Sequence, residues 1–141
     1  MAAAQGLHFV PSFHPHRVLG VATYALELLR AVEPLDAVYV GVGMGSGICG
    51  LIAVRNLLGL TTEMGASRMV QVEEEEIAEA MRIYFDDTHQ IAEGAGAAPL
   101  AALLKERGRM ADKRVAVILS GGNIERARFH QVLGGATPSV G

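Results

Sequence analysis

The residues most able to do chemistry are glycines. Gly43-Met44-Gly45-Ser46-Gly47 stands between an apolar β-branched run, Ala37-Val38-Tyr39-Val40-Gly41-Val42, and an apolar helical pattern that starts at Ile48. A glycine turn lets backbone approach a ligand closely, and the amides of the turn and of the first helical turn then face an anion with the helix dipole behind them. A phosphate group is the natural guest. The plain alternative is a tight strand-to-helix turn with no ligand. Gly45, Gly47 and Gly50 also spell the dinucleotide fingerprint G-x-G-x-x-G, with Glu73 roughly 20 residues further on where a ribose-binding acid could sit. The fingerprint needs Gly45 as its first turn glycine, which leaves Gly43 and the later motifs unexplained; a non-catalytic phosphate- or dinucleotide-binding or interaction module using the Gly43–Gly50 turn is the alternative reading. The Walker pattern fails, because no Gly-Lys-Ser/Thr follows.

Two further stretches carry polar groups among tiny residues. Glu93-Gly94-Ala95-Gly96-Ala97-Ala98-Pro99-Leu100 sets one acid before residues small enough to pack on a flat ligand; its ordinary reading is a glycine loop capping the next helix, with Pro99 in the first turn. Leu119-Ser120-Gly121-Gly122-Asn123 ends the clearest strand and offers the neutral hydroxyl of Ser120 where open parallel sheets bind ligands. The histidines 8, 14, 16, 89 and 130 show no metal-ligand spacing, and no metal site is expected. Cys49 reads as a small buried helix residue, and the glutamates 73–76 as a solvated helix start.

These residues need elements to hold them. A short strand is expected at 7–11, loop at 12–20, and a helix at 23–31 with Thr23 as its N-cap and Pro34 beyond its end. Strands are expected at 37–42, 69–72 and 114–119. Helices are expected at 48–58, 73–85, 97–107 and 124–133. Strands separated by helices imply an α/β fold: three layers, with a mainly parallel sheet covered by helices on both faces.

Composition bounds the rest. The chain has 141 residues, half of them hydrophobic, which suits one packed domain over residues 1–133 with a flexible tail at 134–141. Net charge is −3 with no basic block, so no nucleic-acid partner is expected. Residues 37–54 carry no charge, but five glycines interrupt them, which argues against a membrane span. The start lacks the basic and apolar regions of a signal peptide, and one cysteine suits a reducing, cytoplasmic location.

Taken in order, the glycine turn with Ile48, then Glu93-Gly94-Ala95-Gly96-Ala97-Ala98, then Ser120-Gly121-Gly122-Asn123 resemble the pyridoxal-phosphate-dependent serine/threonine dehydratases, of the tryptophan-synthase-β-like fold type II. Gly20-Val21-Ala22-Thr23-Tyr24-Ala25-Leu26-Glu27 and Glu76-Ile77-Ala78-Glu79-Ala80 resemble helices of the same family, so the likeness runs from Leu7 to about Leu133. It implies a lyase that removes water and then ammonia from serine or threonine, with pyridoxal 5'-phosphate as cofactor. It implies that Gly43, Met44, Gly45, Ser46 and Gly47 hold the cofactor phosphate, that Ser120 bonds the pyridine nitrogen, and that Glu93 lies near the ring. A hydroxyl partner would leave that nitrogen unprotonated.

The departures from the pattern are as informative. The family's Schiff-base lysine lies in a Ser-Phe-Lys-like motif, and the only lysines here, Lys105 and Lys113, have no such context and are expected to face solvent. No catalytic residue is therefore assigned. Between the glycine-loop helix and Gly65-Ala66-Ser67-Arg68 the family has several tens more residues. The resemblance thus implies the back portion of a dehydratase with a deletion junction near 61–67. Its partners would be cofactor and amino acid, with a second copy or a complementing N-terminal half completing it. Apolar helices without their usual neighbours should favour association.

Overall fold

The computed structural model describes residues 5–7, 11, 14–32, 34–60 and 65–138. The strand expected at 7–11, the histidine His8 and part of the 61–67 junction fall largely outside them, as do the last three residues of the tail.

Two compact units emerge. The first, residues 1–31 and 42–65, is a helix pair: α1 (Pro15–Ala31) and α2 (Ser46–Leu57). α1 begins eight residues before the expected Thr23 cap. Pro15 occupies the first helical position, where its missing N–H costs nothing. Thr23 is mid-helix and donates its Oγ1 hydroxyl back to the Gly20 carbonyl at 2.9 Å. Ala25 and Leu29 of α1 and Gly50, Leu51 and Val54 of α2 are buried. Gly50 makes the contact close: a Cβ there would stand 3.0 Å from Ala22 Cα. Cys49 is exposed rather than buried, because the side of α2 facing α1 carries Gly50, Leu51 and Val54.

The second unit, residues 32–41 and 66–141, holds β1 (Ala37–Tyr39), α3 (Glu74–Thr88), α4 (Gly94–Lys105), β2 (Val115–Val117) and α5 (Arg126–Leu133). β1 and β2 pair in parallel, Ala37 opposite Val115 and Tyr39 opposite Val117, and Ile118 N–H donates to the Tyr39 carbonyl at 3.0 Å. This is the expected α/β arrangement around a parallel sheet, here of two short strands with α4 against both. The core lies among α3, α4 and α5: Ala78, Ala80, Met81, Ala97, Ala101, Phe129 and Val132, with Phe85 edge-on to Phe129 at 5.6 Å. Four of these seven residues are alanines, small enough to let helices pack closely.

Two expectations need correction. Residues 69–72 alternate like a strand but form none among the described residues; Met69 and Gln71 are exposed, and no neighbouring strand accepts them. The run after Glu93 is helix rather than loop, with Glu93 as N-cap, which puts Pro99 inside α4 rather than in its first turn. Pro99 has no N–H to offer the carbonyl of Ala95 four residues earlier. No helix among the described residues is long and apolar enough to cross a membrane.

Candidate functional site

In the first unit the glycine turn leads directly into α2. Gly45 is the N-cap and adopts φ +92°, the left-handed region that favours glycine. The first intrahelical bond runs from Cys49 N–H to the Gly45 carbonyl at 3.0 Å, and no side chain caps the helix. The amides of Ser46, Gly47 and Ile48 therefore emerge at the positive end of the dipole without intrahelical partners. A Cβ on Gly43 or Gly45 would meet nothing within 4 Å. The turn thus combines free donors with open space, and its chemistry fits a phosphate. Tyr24 steadies it from α1, donating its hydroxyl to the Gly47 carbonyl at 3.0 Å, and burial pushes that hydroxyl's pKa above its ordinary value. Spacing alone does not single out Tyr24; it is the one Phe, Tyr or Trp in α1, which is the available signal.

In the second unit three backbones converge at the carboxyl ends of the strands. Glu93 N–H donates to the Gly121 carbonyl at 3.0 Å, tying the head of α4 to the turn after β2. The Glu93 carboxyl lies over Gly121: a Cβ on that glycine would stand 2.9 Å from Glu93 Cδ. Gly96 faces the same turn, its Cβ position 3.1 Å from the Gly121 nitrogen. Gly41, just past β1, approaches the carbonyl of Ala95 that Pro99 leaves without a helical partner, its Cβ position 3.1 Å away. The structure therefore brings Glu93 and the Ser120 turn together, with Ser120 exposed beside them. Residues 43–47 belong to the other unit.

The lysines sit elsewhere in the second unit. Lys105 closes α4 and pairs with Glu76 at 3.0 Å. A 12-residue helix spans about 17 Å, which separates Lys105 from the Glu93 end. Lys113 precedes β2 whereas Ser120 follows it, seven residues that span about 23 Å when extended. Both lysines are exposed, as the sequence implies.

Comparison with known proteins agrees with this picture. The pyridoxal-phosphate dependent enzyme family matches residues 54–121. An L-threonine ammonia-lyase of Geobacter sulfurreducens is 37% identical over 79% of this chain and 29% of its own length. An L-threo-3-hydroxyaspartate ammonia-lyase of a Pseudomonas species is 25% identical over 96% of this chain and 58% of its own. The processed form of threonine deaminase isoform 2 from Solanum lycopersicum superposes with a TM-score of 0.79 over 94% of this chain and 54% of that one; at 20% identity this shows the fold.

Fold and matches together define a class: pyridoxal-phosphate-dependent enzymes of fold type II. Within it, the chain belongs with the threonine/serine dehydratases. It spans about half the length of the curated relatives it matches first. The alignment to the Pseudomonas protein runs over 184 positions against a chain of 141 residues, so at least 43 aligned positions (184 − 141) have no residue here.

Proposed function

We propose that the chain is a remnant of the large domain of a threonine/serine dehydratase, one that keeps the cofactor's phosphate cradle but does not by itself carry out β-elimination. The family membership and the run of aligned positions without residues here support the remnant reading. One observation carries the catalytic part: both lysines stand at the far end of the second unit from Ser120 and Glu93, and one of them is tied to Glu76.

The residues have separable tasks. The amides of residues 43–47 and of the first turn of α2 would hold the phosphate group of pyridoxal 5'-phosphate. By the family resemblance, Ser120 would offer a hydroxyl to the cofactor's ring nitrogen and Glu93 would supply a carboxylate near the ring. When bound, the cofactor supplies an electron sink for bond cleavage at the amino acid's α-carbon. No positioned amine in this chain anchors it or moves the α-proton, and orientation provides much of such catalysis. The substrate class of the whole protein is a β-hydroxy amino acid, and its place is the cytoplasm.

The test is a ketoacid assay with serine and threonine on purified protein plus pyridoxal phosphate, run beside Lys105→Ala and Lys113→Ala. No turnover is expected in any sample. Cofactor-dependent turnover abolished by one lysine substitution overturns the proposal. Binding is read separately by thermal shift: the phosphate cradle predicts stabilisation by pyridoxal phosphate and by inorganic phosphate, and none by a nicotinamide dinucleotide. The dinucleotide alternative has lost its frame, since residues 69–72 form no strand to carry Glu73 and that residue caps α3 instead.

A further inference from the structure

Residues 69–72 have the alternation of a strand but no strand beside them. Met69 and Gln71 are exposed, Val70 and Val72 are half-buried, and Val72 packs against the core of the second unit. Glu73, the next residue, is extended at φ −96° and ψ 162°. Yet no backbone hydrogen bond among the described residues involves 69–72. Such a row of free donors and acceptors is a template for another extended chain.

A groove of about 500 Å³ lies against this segment. Met69, Val70 and Gln71 line it from one stretch of chain, and Lys105, Gly108 and Arg109 from another. The second stretch is basic: residues 105–114 hold five basic side chains and two acidic ones. Lys105 is paired with Glu76 at 3.0 Å. Glu106 also lines the groove, but Arg68 and the Tyr39 hydroxyl occupy its carboxylate. Arg107 and Arg109 are exposed and make no ion pair among the described residues; Arg109 attracts Glu106 only from a distance. The charge left over at the groove is positive.

We infer that this groove takes an acidic segment of a partner protein in extended form, its backbone pairing with residues 69–72 and its carboxylates meeting Arg107 and Arg109. The two features select the occupant together. A free anion satisfies the arginines and leaves the backbone row unpaired, and a nucleic acid has no peptide backbone to add to it. Met69, 71% exposed, supplies apolar contact for alternate side chains of the added segment. Glu73, Glu74 and Glu75 follow the row without lining the groove. They repel an acidic chain that runs on past residue 72, which confines the partner to the groove. The inference does not rest on cofactor binding.

The probe is a short fluorescein-labelled peptide of alternating valine and glutamate, followed by fluorescence anisotropy on the full chain at low salt. The chain is expected to bind it, and to bind the valine–lysine counterpart about tenfold more weakly. Arg107→Glu/Arg109→Glu should weaken binding of the acidic peptide about tenfold, with a circular dichroism melt like the parent's. Should that variant fail to fold, Arg107→Gln/Arg109→Gln serves, with a loss of about threefold. Backbone pairing is read separately with two peptides methylated on alternate amide nitrogens. Only one set of amides faces residues 69–72, so one peptide should lose binding and the other keep it. No binding by the parent, equal binding of the valine–lysine peptide, or an unaffected folded arginine variant overturns the inference. So do two methylated peptides that behave alike, which removes the strand pairing, and displacement by millimolar inorganic phosphate, which marks a small-anion site instead.

Discussion

Glycines 43 and 45 and glycines 96 and 121 look alike in the sequence, each set flanking a helix start, yet they serve opposite ends. In the first unit the space around the glycines is open, and a Cβ on Gly43 or Gly45 meets nothing within 4 Å. In the second unit the space is already filled: the Cβ position of Gly96 falls on the backbone of Gly121, and that of Gly121 on the Glu93 carboxyl. One set leaves open space and the other lets two parts of the chain touch. A glycine whose Cβ position is filled is explained by packing alone, whereas an open one leaves its motif to be explained by backbone conformation or by a ligand.

The largest effect should come from breaking the filled set. Gly96→Ala drives a methyl group to 3.1 Å from the Gly121 nitrogen and 3.2 Å from its carbonyl carbon, both backbone atoms that cannot rotate away. Overpacking of this kind costs about 3 kcal/mol. Urea denaturation should show that loss in the second unit, with the head of α4 detached from the Ser120 turn. A loss under ~1 kcal/mol would mean the two backbones are not in contact and the filled/open distinction fails.

Gly45→Ala comes next. Its φ of +92° strains any residue with a Cβ, although nothing obstructs the methyl group itself. The expected cost is about 1–2 kcal/mol, confined to the turn before α2. Amide hydrogen exchange at Cys49, whose N–H bonds to Gly45, should quicken first. An unchanged exchange rate there would show that the turn is not held in the left-handed form.

What the sequence made legible follows the same division. The parallel sheet of β1 and β2 and the presence of α3 and α5 were readable, because apolar periodicity and β-branched runs report burial directly. The head of α4 was not. Gly94-Ala95-Gly96 has poor helix propensity and reads as loop, and only packing against Gly121 makes it helical. The first turns of α1 were hidden behind Pro15 and two histidines that resemble loop chemistry. Residues 69–72 misled in the other direction: alternation gives a strand its faces, but a strand also needs a neighbour. Of the candidate site, the sequence marked the three stretches but not how they meet. That Glu93 bonds to the Ser120 turn needed coordinates.

A smaller effect separates the two ends of the second unit. Away from Ser120, the Tyr39 hydroxyl donates to Glu106 at 2.6 Å with Arg68 on the same oxygen. The Tyr39 hydroxyl, and then Arg68, hold the Glu106 carboxyl below its ordinary range, against a partial opposing effect of desolvation. A lowered carboxyl stabilises the fold above the unfolded value, near ~4.3, and that contribution disappears as pH falls through the folded value. Burial first, and then Glu106, push Tyr39 above its ordinary pKa, so its contribution is complete below pH ~10 and lost as pH rises through the folded value. Tyr39→Phe should move the Glu106 titration, followed by carboxyl carbon NMR, upward toward an unperturbed glutamate. An unmoved titration would assign the lowering to Arg68 and Arg109.

The smallest effect on stability is the sharpest test of the comparison. Gly43 has no positive φ and no neighbour within 4 Å of a Cβ, so Gly43→Ala should change stability by less than ~0.5 kcal/mol, as surface substitutions away from special features do. If the open glycines exist to admit a phosphate group, the methyl group must instead appear in binding. The thermal shift produced by pyridoxal phosphate, and by inorganic phosphate, should shrink in Gly43→Ala while the unliganded melting temperature stays put. Gly96→Ala should show the reverse pattern, a large drop in melting temperature with no specific effect on phosphate. If Gly43→Ala leaves both readings untouched, the open turn is only a turn, and the phosphate assignment for residues 43–47 falls with it.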